Sequence, residues 1–248
     1  SIGSVSFNLT VVELEPDWAF DVAGTHSTDS AAAATVTTGT LSSGEHLGMF
    51  VTTCRNGRFM PTTASYDRLL LDAAGTETGD GNRGSTWTAL GLKDLGTPTT
   101  GYTAEANTAA GAREKGLSAV VFTKGAAGNN GAGVDTQDTA SGTGTATEPP
   151  PAQWDIVQEQ WTSSGTSVGQ TTKTFTGWAT PTAGNVLIVN FAARPASGSG
   201  TPYTNVALNG DWTRLGVQDT SNTSQALFWK IATATDLSFV ATFEGNSE

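Results

Sequence analysis

Two stretches of this chain nearly repeat each other. Residues 85–94 read STWTALGLKD and residues 210–219 read GDWTRLGVQD. In both, Trp is followed by Thr, a free position, Leu, Gly, an aliphatic residue, a polar residue and Asp. Trp87 aligns with Trp212, Leu90 with Leu215, Gly91 with Gly216 and Asp94 with Asp219. A returning phrase of this kind constrains the chain to two related units. The 248 residues are more than one hydrophobic core usually fills, which agrees.

The repeat extends beyond the phrase. TVTTGTLSSGEHLGMFVTT (35–53) resembles TFTGWATPTAGNVLIVNFAA (174–193): a Thr-rich strand passes through a turn at Gly44 or Gly184 into an apolar strand. Leu47, Met49 and Val51 alternate, as do Leu187, Val189 and Phe191, and period-two alternation puts such side chains on one strand face. Val186 and Ile188 are apolar too, which predicts a strand covered on both faces. LSAVVFT (117–123) and LSFVATF (237–243) read as matching strands. Asn56-Gly57 and Asn209-Gly210 are turn signals. The best helix candidate, TAEANTAAGAREKG (103–116), lacks an apolar stripe and promises one or two turns at most.

The expected fold class is therefore all-β: two tandem β-sandwich domains, jelly-roll or immunoglobulin-like, from an internal duplication. The expected division is 1–123 and 154–248. Between them, 124–153 is rich in Gly and Thr and closes on Pro149-Pro150-Pro151, a flexible spacer with a stiff end. The second copy is short of one strand at its C-terminal side. The N-terminal segment, a neighbouring subunit, or no strand at all are the three open answers.

Charge and composition exclude several classes. Net charge is −11 and the pI is near 4.5, against the basic face that nucleic acid or anionic lipid requires. No stretch reaches the ~20 apolar residues of a membrane-spanning helix, and SIGSVSFNLTVVEL has neither the basic start nor the apolar run of a secretory signal. The single cysteine, Cys54, forbids an intrachain disulfide and reads as a small strand-end residue. His26 and His46 lack metal-ligand spacing, and no phosphate-cradling Gly loop is followed by Lys-Ser or Lys-Thr. Glu77, Asp80 and Asn82 stand in a Gly-rich loop with oxygen ligands for Ca²⁺, but without the downstream bidentate Glu of an EF-hand, so a solvated turn is expected. No acidic pair stands in an apolar setting that would split two carboxyl pKa values, so no catalytic residue, cofactor or metal is expected.

The pattern over 174–243 resembles a known repeat. A Thr-rich strand, the Gly-x-x-Leu-x-Val-x-Phe-x-x-Arg strand from Gly184 to Arg194, a small-residue loop, the Trp-Thr-x-Leu-Gly turn at Trp212 to Gly216, and the Phe-Trp-Lys-Ile-Ala-Thr-Ala-x-Asp stretch from Phe228 to Asp236 are similar to a β-sandwich repeat of tailed-bacteriophage structural proteins. The first copy matches at Leu47 to Val51 and Trp87 to Asp94, then departs. The resemblance implies a virion accessory protein, made in the host cytoplasm, of the capsid-decoration or head-fibre kind. It would bind the major capsid protein or other virion proteins as a homo-oligomer, without enzymatic activity.

Trp87, Leu90, Trp212 and Leu215 are expected to be core of the repeated unit. Asp94 and Asp219 are expected to bond turn N–H groups. Trp161 and Trp178, in polar Thr-rich surroundings, and Tyr203 at a loop tip are candidates for exposed contact with a partner or glycan. Arg55 and Arg58, with Arg68 and Arg83, concentrate positive charge in the first copy and offer contact to an acidic partner. The alternative class is accordingly a carbohydrate-binding module or adhesin contacting a host surface glycan.

Overall fold

A computed structural model of the protein describes residues 5–28, 33–55, 59–75, 86–97, 100–108, 113–124, 156–166, 172–176, 178–195, 204–219, 224–236 and 238–244. They are almost wholly β. The first strand is β1 (Val5–Leu14). Eight more lie before residue 125: β2 (Trp18–Thr28), β3 (Ala33–Thr37), β4 (Glu45–Arg55), β5 (Phe59–Pro61), β6 (Arg68–Gly75), β7 (Thr86–Gly96), β8 (Thr103–Thr108) and β9 (Arg113–Lys124). Seven lie after residue 155: β10 (Ile156–Thr166), β11 (Thr172–Thr176), β12 (Val186–Pro195), β13 (Thr204–Leu208), β14 (Thr213–Asp219), β15 (Ser224–Ile231) and β16 (Ser238–Glu244). The only helical turn among the described residues is 3₁₀, Thr63–Ser65. No helix there is long and apolar enough to cross a membrane.

Every strand pairing is antiparallel, and the strands form four sheets. The five-stranded sheet β2-β9-β4-β7-β6 faces the three-stranded sheet β3-β8-β5. Phe50, Trp87, Leu117, Val121, Val36 and Ala104 fill the space between them. The five-stranded sheet β10-β1-β12-β15-β14 faces β11-β16-β13 in the same way, over Leu9, Val11, Val189, Phe191, Phe175 and Val206. The two large sheets also pack on each other. Met49, Leu92 and Phe122 of one meet Val12, Leu14 and Ile188 of the other in a third apolar layer. At its exposed rim Arg68 reaches Glu159 at 3.4 Å, and buried within the molecule Ser118 Oγ lies 3.5 Å from Gln225 Oε1. Both large sheets are thus buried on both faces at their centres, as continuous apolar runs such as VLIV demand.

The two sandwiches share one strand order, position for position. The last place is filled differently. In the first sandwich it holds β9, which follows β8 directly. In the second, the place between β10 and β12 holds β1, with Thr10 opposite Trp161 on one side and Asn190 on the other. Residues 5–14 therefore belong to the second sandwich, which corrects the division at 1–123. Of the three sources left open for the missing strand, the N-terminal segment supplies it.

This completion also displaces the sequence matches. The Trp phrases lie on strands that do not correspond: β7 sits between β4 and β6, whereas β14 is an edge strand equivalent to β6. Likewise LSAVVFT falls in β9, a large-sheet strand, and LSFVATF in β16, the centre of a small sheet. Each match is slipped by one strand, because with β1 at the other end of the chain the linear order lacks a partner for β9. The alternation is slipped by one residue too. Leu47, Met49 and Val51 face the middle layer, whereas Val189 and Phe191 face their own core, so Met49 corresponds to Ile188. A one-residue slip exchanges the faces of a strand, and alternation cannot fix register where both faces are apolar. TAEANT, read as helix at most, is strand β8: Ala104 and Ala106 point inward at period two, and their small side chains give a weak apolar signal.

The expected turns at Gly44, Gly184 and Gly210 are present, each with positive φ, the conformation in which glycine meets no Cβ penalty. Gly91 answers to packing instead: a Cβ there would lie 2.6 Å from the Phe50 ring.

Candidate functional site

The most densely connected polar cluster lies at one end of the second sandwich. It begins with alternation in β1. Leu9 and Val11 face the core, so Glu13, two residues on, must face inward too. Glu13 is completely buried. Its carboxylate is satisfied by donors from three places: Gln158 Nε2 of β10 on Oε2, the Thr182 backbone N–H on Oε1 at 2.8 Å, and Asn185 Nδ2 on Oε1 at 2.6 Å. The turn carrying Asn185 is tied in its own right to the chain after β15, through Ala232 N–H to Asn185 O at 2.7 Å and Gly184 N–H to Ala232 O at 3.0 Å.

That segment leads to a second ionic centre. Lys230, almost fully buried, donates to Asp211 at 2.5 Å and Asp236 at 2.9 Å, and its ammonium lies 5.6 Å from the centre of the Trp212 ring. Asp236 in turn accepts from Thr233 N–H at 2.7 Å and Thr233 Oγ1 at 2.9 Å, and its carbonyl accepts from Trp178 Nε1 at 2.6 Å. The hydrogen bond from Lys230 holds the Asp211 carboxyl below its ordinary range. Burial pushes Asp236 upward, but the Thr233 backbone N–H and Lys230 outweigh it and hold this carboxyl low as well. Burial pulls Lys230 down, and the two carboxylates overcome that and raise it. All three groups are thereby fixed in their charged forms, and the arrangement is a clasp joining β15, the turn after it and the turn before β14.

The expected core residues lie in the apolar layers to differing depths. Trp87 and Leu90 are buried, Trp87 in the first core and Leu90 in the middle layer. Trp212 and Leu215 are half-buried against the second core and the middle layer. Asp94 Oδ1 accepts from Gly96 N–H at 2.8 Å, as a turn aspartate should, while the Asp219 side chain lies outside the described residues.

Of the expected contact residues Trp161, Trp178, Tyr203, Arg55 and Arg58, only Trp178 has its side chain among the described residues. Trp178 is half-buried against the second core with its indole N–H committed to Asp236, so it is packed into the sandwich rather than standing clear of it. Trp161 lies on the edge strand β10, with its side chain outside the described residues. Tyr203, Arg58 and Arg83, the loop of Glu77, Asp80 and Asn82, the Asn56-Gly57 turn and, apart from Lys124 at the end of β9, the expected spacer at 124–153 lie outside them too, as does the side chain of Arg55. Cys54 is buried in the first core. His46 is buried with Nε2 3.5 Å from Asp21 Oδ2. Among the described residues no three His, Cys, Asp or Glu are gathered as a metal would require.

Sequence reasoning missed Glu13 as the key to this end of the molecule. Its signal was available: an acid in phase with Leu9 and Val11 on an alternating strand. Lys230 and Asp236 were visible within the Phe228 to Asp236 stretch, but their mutual contact depends on the turn that brings position 236 back. No protein-family model, curated protein or solved structure matches the chain.

Proposed function

We propose that the chain is a non-enzymatic structural protein of a tailed-phage virion, of the capsid-decoration or head-fibre type, acting by association with the major capsid protein or other virion proteins. One observation carries the reading. The charged residues of the phage-like pattern, Lys230 and Asp236, join with Asp211 and Trp212 to hold strand ends together, so this polar cluster acts in architecture. The outer strands of the large sheets, β10 and β14 in the second sandwich and β2 and β6 in the first, pair on one side only among the described residues, which suits lateral association. In this reading the shared strand order of the two sandwiches reflects an internal duplication. The first sandwich anchors to the particle and the second projects. Added interface stabilises the particle by mass action.

Immunogold electron microscopy of particles from the source, with an antibody against residues 153–248, tests the proposal. Gold on particle heads is the expected result. Gold restricted to tails would transfer the protein to the adsorption apparatus and favour the glycan-binding class. Particles without gold would contradict a place in the virion.

A further inference from the structure

We infer that the protein exchanges its first strand between copies, so that β1 of one molecule completes the second sandwich of another. The acceptor is a place in a sheet rather than a flat surface. Between β10 and β12, ten residues pair on both sides, one face meets the sandwich core and the other meets the middle layer. Glu13 locks the register, because only one alignment brings it to Gln158, Thr182 and Asn185 together. The second sandwich is incomplete without such a strand, and the chain supplies it from 142 residues before β10, counting from Leu14 to Ile156.

The connection to β2 favours exchange. Only Glu15, Pro16 and Asp17 separate β1 from β2, and Asp17 sits at φ 77°, in the left-handed region. Asp is one of the few residues with a Cβ that enter this region, so the hinge carries a modest strain, below the roughly fivefold cost borne by most other residues. Closed and exchanged forms share every contact except the hinge, so strain confined to a short hinge shifts the balance towards exchange. Opposing this is the local concentration of a molecule's own β1, on the order of millimolar for tethered segments. Exchange is therefore expected where copies reach similar concentrations or are held side by side. The partner is a second copy of this chain, and the register is that of the closed molecule.

Two full-length single-cysteine additions test this. Thr10 and Asn190 face each other across β1 and β12. Thr10→Cys and Asn190→Cys chains are mixed, unfolded and refolded together at about 1 mM, near the tethered concentration, then oxidised and separated without reductant. The expected product is a two-chain species whose disulfide maps to positions 10 and 190, and Asp17→Gly in both chains lowers its yield severalfold. Val12→Cys with Ile188→Cys repeats the test at an independent register position. A mixture that stays at single-chain mass for both pairs overturns the inference, and a yield indifferent to Asp17→Gly overturns the role of the hinge. The inference does not rest on the virion reading: particles can bind a chain that never exchanges, and free protein can exchange without binding particles.

Discussion

At the scale of single residues, the second sandwich depends on charges that are buried and matched. Replacing Glu13 by Ala leaves Gln158, the Thr182 N–H and Asn185 without their acceptor. Only Asn185 is itself buried, and Gln158 keeps a bond to Ala179 O at 3.2 Å, so the loss should be about 1–3 kcal/mol, with Glu13→Gln less severe, as read by urea denaturation. The clasp at Lys230 predicts a pH dependence of definite sign. Asp211 and Asp236 have lowered carboxyl values, so their contribution is present above about pH 4 and is lost as pH falls through the folded values. Lys230 is raised, so its contribution is present below about pH 10 and is lost as pH rises through its folded value. The difference in Tm between the wild type and Lys230→Met should therefore be widest from about pH 5 to 9 and shrink below pH 4. Much at this scale was legible. Gly44, Gly184 and Gly210 declared their turns, and Trp87 and Leu90 their burial. Trp178 was not, because polar neighbours in sequence do not reveal a backbone acceptor 58 residues away.

At the scale of elements, alternation identified strands but not their partners. VSFNLTVVEL reads as a strand anywhere, and nothing local says that its neighbours begin at Ile156 and Val186. The one-strand slip of the Trp phrases has the same origin, since linear order is a poor guide when a sheet is closed by a strand from the far end of the chain. β8 was hidden by its alanines, whose inward faces carry little apolar signal. The placement of β1 makes a prediction proper to this scale. A chain lacking residues 1–14 should regain the second sandwich when a synthetic peptide of residues 1–15 is added, as strand complementation through main-chain hydrogen bonds allows. The same peptide with Glu13→Ala should bind at least tenfold more weakly, measured by titration of tryptophan fluorescence.

At the scale of the whole molecule, the two sandwiches act as one body through the layer between their large sheets. That layer is apolar at its centre, so Ile188→Asp, which buries an unpaired charge against Met49 and its neighbours, should cost more than 3 kcal/mol and split a single thermal transition into two. Arg68→Ala, which removes an exposed ion pair to Glu159 at the rim, should change stability by less than about 1 kcal/mol. Differential scanning calorimetry distinguishes the two outcomes. Amide hydrogen exchange reads out whether the N-terminal strand completes the distant sandwich. Full-length protein and a chain lacking residues 1–14 are compared over β12 and β4. Residues 186–195 should be protected in the full chain and lose that protection on truncation, while 45–55, paired with β7 and β9, keep theirs. Equal protection of 186–195 in both chains would contradict completion by the N-terminal strand.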